Sequence, residues 1–501
     1  MLGIDHSLLS VRDMYLADDL AMKSGVSGIS LMEKAGQAVA RAVCDMVPEG
    51  RVLVLCGPGN NGGDGFVAAA VLDDLGYEVK LYSMVSISAL KGDALYFAKR
   101  WQGDVVHELG EANFQSADVI VDALFGAGLA RPLDRTCCRF AEWSRGRRVV
   151  SVDMPSGVSG DTGEIVGDIA FSAEKTVTFF MKKTGHCLYP GTDLCGDIIV
   201  ADIGIPKEVE VKLSSLSEEN YLARENHPDL WSDQIPSYYY SRHKYHFGHS
   251  LVWGGEMSGA GRLAAMSALR VGSGLVTVLC SEADRLVYAL TSPSLIVDDH
   301  KDHTELVVFM RDRKISAFVL GPGVLGSRAG RGDDFKSFVS DVLKSCLVPV
   351  VLDADGISVF EDKPEQLLSL LSEQVIITPH EGEFKRIFPD VRGGRLERAR
   401  YAAVKAGCIV VLKGADTIIA APDGRAVINT NAPYWLAKGG TGDVLSGIIT
   451  GLLAQGLSIF DAACAGVWLH SDAAYRAGSG MIADDLITCI GASMAPFKDP
   501  K

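Results

Sequence analysis

At 501 residues the chain is too long for one ordinary core, so two large domains or three small ones are expected. With 48% hydrophobic and 22% charged residues it has the composition of a soluble globular protein, and a formal charge of −15 argues against nucleic acid or an anionic membrane as partner. No apolar run reaches about 18 residues and residues 1–13 lack a basic-then-apolar block, so neither a membrane span nor a signal peptide is expected.

The first half alternates short β-branched runs with helical patterns. Helices are predicted over 11–23, 30–46, 64–75 and 90–101, and strands over 51–56, 78–82, 118–122, 148–153 and 175–179. Solidly apolar strands in such alternation imply a parallel sheet wrapped by helices, doubly wound and Rossmann-like. The pattern fades between residues 205 and 236, where a charged, serine-containing stretch punctuated by Pro228 and Pro236 marks the domain junction. A second α/β series follows. Its strands are predicted over 250–253, 275–280, 317–320, 349–352, 375–378 and 408–412, and its helices over 259–271, 335–345, 396–406, 443–453 and 461–477.

The 11 cysteines form no Cys-x-x-Cys pair and many sit in or beside apolar runs, as Cys56, Cys280 and Cys408 do; they read as reduced core residues of a cytoplasmic protein. His243, His246 and His249 have a suggestive spacing, but a surface loop is the expectation over a metal site.

Ligands of open parallel sheets bind beyond the C-terminal strand ends, and the chemistry-bearing strings sit there. Gly57-Pro58-Gly59-Asn60-Asn61-Gly62 formally matches Gly-x-Gly-x-x-Gly, yet no acid follows the next strand at Tyr82-Ser83 to grip a ribose. Asn60, Asn61 and Asp64 make the loop too polar for a plain phosphate cradle; they look like groups that read a substrate. Asp122 and Asp153 end two further strands, and Asp122, Ser156 and Asn61 could share a cation through oxygen; each aspartate could instead cap a turn.

In the second half, Thr378-Pro379-His380-Glu381-Gly382-Glu383 opens a helix, with Thr378 or Glu383 as a candidate cap and His380 facing the crevice. Lys413-Gly414-Ala415-Asp416-Thr417 places a cation and a hydroxyl after another strand, and Asp353-Ala354-Asp355 ends a fourth. Lys438-Gly439-Gly440-Thr441-Gly442-Asp443 runs into an apolar helix. Bare N–H groups at a helix start suit an anion. An aspartate in the same turn suits deprotonation of a hydroxyl that attacks a bound phosphoryl group.

These strings, in this order, resemble the family of bifunctional NAD(P)H-hydrate repair enzymes over nearly the whole chain. The resemblance implies an NAD(P)H-hydrate epimerase domain over 1–212 and an ADP-dependent NAD(P)H-hydrate dehydratase domain, ribokinase-like, over 225–501. It implies potassium on Asn61, Asp122 and Ser156. Asn60, Asn61, Gly62, Gly63 and Asp64, the segment Gly126, Ala127, Gly128, Leu129, Ala130, Arg131 and Pro132, and Asp153 would contact the hydrated cofactor, with Asp153 catalytic. In the dehydratase, Lys413, Gly414, Ala415, Asp416, Thr417, Gly439, Gly440, Thr441 and Gly442 would hold ADP as co-substrate, with Mg2+. Gly323, His380 and Asp443 would contact the hydrate, with Asp443 catalytic. Lys438 stands where the family often has threonine. A cytoplasmic homo-oligomer acting on small molecules is expected. The alternatives are an ATP-dependent kinase for a small alcohol with a nucleotide-sensing N-terminal domain, an NAD-linked dehydrogenase, and a nucleotide-binding scaffold.

Overall fold

A computed structural model describes residues 6–216, 222–236, 243–325, 332–345 and 347–498. The chain divides into two compact units, one ending at Ala223 and the other beginning at Arg224.

The N-terminal unit is built on strands β1 (Arg51–Cys56), β2 (Glu78–Ser83), β3 (Val105–Val106), β4 (Val119–Ala123), β5 (Val149–Val152), β6 (Lys175–Phe179) and β7 (Asp197–Ala201). Their order is β3-β2-β1-β4-β5-β6-β7 and every pairing is parallel. The central strands are buried on both faces, which explains their unbroken apolar runs. The order reverses between β1 and β4, and a crevice opens there beyond the carboxyl ends.

The C-terminal unit carries β8 (Ala223–Glu225), β9 (His249–Trp253), β10 (Leu275–Cys280), β11 (Ile296–Asp299), β12 (Ala317–Leu320), β13 (Val350–Leu352), β14 (Val375–Ile377), β15 (Ile409–Leu412), β16 (Ile418–Ala420) and β17 (Ala426–Ile428). These run in the order β8-β17-β16-β15-β14-β13-β12-β9-β10-β11. Pairing is parallel from β15 through to β11, and antiparallel where β15, β16 and β17 meet. Here the order reverses at β9 and β12. The helix Thr441–Ala454 is buried nearly all round in the core of this unit, which accounts for its continuous apolar run.

Two α/β units on mostly parallel sheets are what the alternation of patterns predicts. The junction differs: residues Lys207–Leu216 are helical, because Val209 and Leu213 insert into the N-terminal core. The helices Arg135–Trp143, His303–Asp312 and Ala483–Lys498 also lie outside the predicted set. His249 is not on a surface loop. It is buried in β9, with one ring nitrogen 3.0 Å from the Arg313 carbonyl and the other 2.8 Å from Thr277 Oγ1, whereas His243 and His246 are exposed and stacked on each other. Among the described residues no helix is long and apolar enough to cross a membrane.

Candidate functional site

In the N-terminal unit a cavity of about 620 Å³ opens at the β1/β4 reversal. Pro58, Gly59, Asn60, Asn61 and Asp64 line it from the start of the helix Asn60–Asp74, and Gly126, Ala127, Gly128, Leu129, Ala130 and Arg131 line it from the loop after β4. Gly62, Gly63 and Pro132 are not among the residues that line it. A Cβ on Gly62 would fall 2.0 Å from the Gly57 carbonyl oxygen, and one on Gly63 2.6 Å from Met32 Sδ. The glycine string is therefore demanded by close packing, with Gly57 itself pressed against Leu124.

Asp153 occupies the end of β5 in the left-handed region at φ 64°, and the Met154 N–H donates to the Val152 carbonyl across it at 2.8 Å. Phe180, at φ 66°, repeats this γ-turn after β6. Positive-φ γ-turns are rare and strained and persist where the surroundings over-determine them. Several bonds do so here. Lys183 Nζ, 1% exposed, lies 2.6 Å from Asp153 Oδ1 and donates to Thr178 Oγ1 at 2.9 Å. Ala127 N–H donates to Asp153 Oδ2 at 2.9 Å and Thr178 Oγ1 to Oδ1 at 3.1 Å. The Lys183 N–H donates to His186 Nδ1, so Nε2 carries the proton that bonds the Asp153 carbonyl at 2.8 Å. Burial pushes Asp153 up, but the Lys183 ammonium and these hydrogen bonds outweigh it and hold the carboxyl at about 2. Burial, with Asp153 and Asp18 adding like charge, pushes Asp64 well up from its ordinary value. One cavity thus holds two carboxyls shifted in opposite directions, the kind of separation that acid–base chemistry uses.

Beneath the cavity Asp122 is wholly buried and accepts from Ser156 Oγ at 2.6 Å, Ser156 N–H at 2.7 Å and Ser151 Oγ at 3.0 Å. Burial lifts it to about 6 against those bonds. Its recorded partners are neutral. Ser156 Oγ also lies 3.1 Å from the Phe125 carbonyl, and the Asn61 side-chain amide nitrogen is buried without a partner. Ser156 Oγ and the Phe125 carbonyl beside an uncompensated carboxylate fit a hard cation, and Asn61 joins them once its amide is turned to present the oxygen, a turn that breaks no hydrogen bond of the unpartnered nitrogen.

In the C-terminal unit the strand ends converge. Lys413, just after β15, puts Nζ 2.8 Å from Asp353 Oδ1, and Ser446 Oγ donates to the other Asp353 oxygen at 2.5 Å. Gly440 turns into the helix at φ 87°, and a Cβ on Gly442 would lie 3.6 Å from Lys413 Nζ. Asp443 follows in the first helical turn. Burial, then the Asp353 charge, raise it to about 7 against the pull of Lys413. Gly439 is open to space, and Thr441 Oγ1 donates to the Lys438 carbonyl while Lys438 Nζ donates to Met481. Gly323, at φ 64°, stacks its carbonyl over Gly255 across the β9/β12 reversal.

His380 Nδ1 caps the helix Glu381–Ile387 by accepting from Gly382 N–H at 2.9 Å, and Glu383 completes the capping box by accepting from the His380 N–H, so of the two expected caps Glu383 takes part and the N-cap itself is His380, not Thr378. The ring is more than half exposed, with Nε2 lying 3.7 Å from Glu383 Oε1. Asp416 turns inward to Arg395 at 2.8 Å and Thr417 Oγ1 bonds back to the Gly414 carbonyl, leaving Gly414 and Ala415 exposed at the turn.

The family model described as NAD(P)H-hydrate dehydratase matches residues 250–490, and the one described as YjeF-related protein N-terminus matches 28–185. Among curated relatives, the bifunctional NAD(P)H-hydrate repair enzyme Nnr of Thermofilum pendens is 34% identical over 92% of this chain and 90% of its own. The enzyme of that name from Coxiella burnetii is 35% identical over 95% and 96%. The chain belongs to the bifunctional NAD(P)H-hydrate repair enzyme family. A solved structure, the ADP/ATP-dependent NAD(P)H-hydrate dehydratase of Bacillus subtilis co-crystallized with ATP/Mg2+, is 25% identical, covers 53% of this chain and 97% of that one, with a TM-score of 0.43.

Within this family frame, sequence reasoning missed Lys183, Tyr15 and Asp18 in the first cavity and Ser446 in the second site. Lys183 follows the end of β6, so the strand-end rule that found Asp122 and Asp153 would have reached it.

Proposed function

We propose that the chain repairs NADH and NADPH that have taken up water across a ring double bond. Family membership supports both activities. The N-terminal unit interconverts the R and S hydrates; the C-terminal unit dehydrates the S hydrate with ADP, releasing AMP and phosphate. The kinase alternative is not favoured by that membership.

The observation that carries the chemistry is Asp443, titrating near 7 in the first turn of the helix Thr441–Ala454 beside Lys413. Hydroxide leaves poorly. Deprotonated by Asp443, the substrate hydroxyl attacks the terminal phosphoryl group of ADP and displaces AMP; the resulting phosphate leaves as the ring nitrogen pushes in its lone pair, and loss of a proton from the neighbouring ring carbon restores the double bond. First-turn N–H groups and the amides of Gly439, Gly440, Thr441 and Gly442 offset the charge that develops, one donor being worth roughly 3 kcal/mol. Lys413, with the open Gly414-Ala415 turn, lies at the phosphate end of the nucleotide, and Gly323 and His380 face the nicotinamide. A divalent cation, Mg2+, would neutralise phosphate charge there.

In the first unit Asn61, Asp122, Ser156 and the Phe125 carbonyl would hold potassium, which supplies positive charge under the loop that carries Gly126. Asn60, Asp64, the 126–131 loop and Asp153 bind the hydrate. Asp153, ionised, takes the proton of the water that adds. The reading extends to a cytoplasmic homo-oligomer, for which exposed Tyr434 and Tyr475, both in ring contact with Trp435, offer apolar surface.

The test mixes pure protein, hydrated NADH and ADP and follows the near-ultraviolet absorbance of reduced nicotinamide. Its return with AMP and phosphate is expected. A stable phosphorylated product with ATP would replace this reading by the kinase.

A further inference from the structure

The helix Val11–Lys23 forms one wall of the N-terminal cavity. Val11, Met14, Tyr15, Asp18 and Met22 all line it, at the i, i+3, i+4, i+7 and i+11 spacing of a single helical face. That face is apolar except for Tyr15 and Asp18. It lies ahead of the residues 28–185 matched by the family model of this unit.

The helix is fixed against the segment that carries Lys183. Leu9 N–H donates to the Lys182 carbonyl at 2.9 Å and Thr184 N–H to the Leu9 carbonyl at 3.0 Å, a bridge that brackets Lys183. Val11 N–H donates to Asp161 Oδ1 at 2.7 Å, and Ser10 and Asp13 close a capping box. A Cβ on Gly128 would fall 2.2 Å from the Tyr15 hydroxyl, so Tyr15 also touches the loop after β4. Placement this firm is what a reacting group needs.

We propose that Asp18 is the second proton-transfer group of the N-terminal site, giving a proton to the departing hydroxyl at one wall of the cavity while Asp153 takes one from the returning water at another. The charged and titratable groups that share the cavity with it are Tyr15, Asp64, Asp93, Arg131, Asp153 and Lys183. Burial and the Asp153 charge push Asp18 up to about 6 against the pull of Lys183, so it carries a proton over part of the neutral range. The inference rests on the epimerase reading.

The steps balance. Asp18 protonates the hydroxyl oxygen; the C–O bond breaks, its electron pair leaving with water, while the ring nitrogen lone pair forms a C=N bond. Water adds to that carbon from the opposite face, the C=N pair returns to nitrogen, and the surplus proton passes to Asp153. An oxonium is acidic enough for so weak a base. Solvent in the open cavity then returns a proton to Asp18 and takes one from Asp153.

The test follows interconversion of purified R hydrate by the full chain without nucleotide, so that nothing is consumed by the second unit, against pH and a protein-free control. Asp18→Asn should lower the catalysed rate roughly 10²–10⁴-fold and abolish the decline of the wild-type rate as pH rises through about 6. Asp18→Glu should recover part of both, and each variant should bind the hydrate in equilibrium dialysis. An unchanged rate and pH profile in Asp18→Asn overturns the proposal, as does equal loss in both variants together with lost hydrate binding. If the unmodified chain fails to speed interconversion, the epimerase reading falls first and carries this inference with it.

Discussion

Lys413 Nζ stands 2.8 Å from Asp353 Oδ1, although 60 residues separate the two in sequence. Asp353 is 2% exposed and Lys413 21%, so each charge depends on the other. Burial alone would raise Asp353, yet Lys413 and the hydroxyls of Ser446 and Thr378 bring it below the ordinary carboxylate range. Lys413→Met leaves a buried carboxylate unpaired and should cost the C-terminal unit about 3 kcal/mol in denaturant unfolding. Because the folded pKa is depressed, the stability that Asp353 contributes is present at neutral pH and disappears as acid protonates it below the usual range. Lys413→Met should flatten that acid-side decline.

Asp443 has the opposite sign. Its folded pKa, about 7, exceeds its ordinary value of 3.8, so its ionisation opposes folding as pH rises between the two. Asp443→Asn should therefore stabilise the C-terminal unit above pH 7, by about 1–4 kcal/mol, while dehydration falls roughly 10²–10⁴-fold and nucleotide binding persists. In the wild type, a base with this pKa makes kcat/KM climb as pH rises through about 7. Equal loss of ADP binding and turnover in the variant would show that Asp443 holds nucleotide instead of moving a proton.

Lys183 is the counterpart in the other unit. Its ammonium is what depresses Asp153 and moderates Asp18. Lys183→Met should let both carboxyls rise, abolish catalysed epimerisation and destabilise the N-terminal unit by about 3–5 kcal/mol. Dehydration of pure S hydrate should survive. Stopped-flow assays on separated epimers, with chemical denaturation of the variant, would check the pair of effects.

The strand ends explain how much was legible beforehand. Asp122, Asp153, Lys413 and Asp443 each follow an apolar run or precede one, and local pattern alone marks them as out of place in a core. The α/β alternation was equally plain, because strands buried on both faces must be written as continuous apolar residues. What pattern could not supply was partnership. Nothing near Asp153 in sequence announces Lys183, 30 residues on, or the helical face that brings Asp18 into the same cavity. The antiparallel strands β16 and β17 escape the pattern because each is three residues long, though Pro422-Asp423-Gly424 between them is a turn signal. His380 reads in sequence as a group facing the crevice; in the structure its Nδ1 is occupied as a helix cap and Nε2 lies 3.7 Å from Glu383 Oε1, so a ligand would meet a ring already held by its own helix.

Asp122 gives the potassium reading a test independent of catalysis. Burial holds its carboxyl at about 6, above its ordinary 3.8, so stability is lost as pH rises between the two. A cation bound to Asp122, Ser156 and Asn61 would reverse the cost, since opposite charge favours the ionised form. Potassium should therefore stabilise the N-terminal unit little at pH 5, where Asp122 is largely protonated, and clearly at pH 8. Thermal unfolding in potassium chloride and in choline chloride at equal ionic strength isolates the specific effect from screening. Asp122→Asn should erase the difference between the two salts at both pH values. If the wild type unfolds at the same temperature in both salts at pH 8, the oxygen cluster under the 126–131 loop is held by its own hydrogen bonds and the cation is not part of the fold.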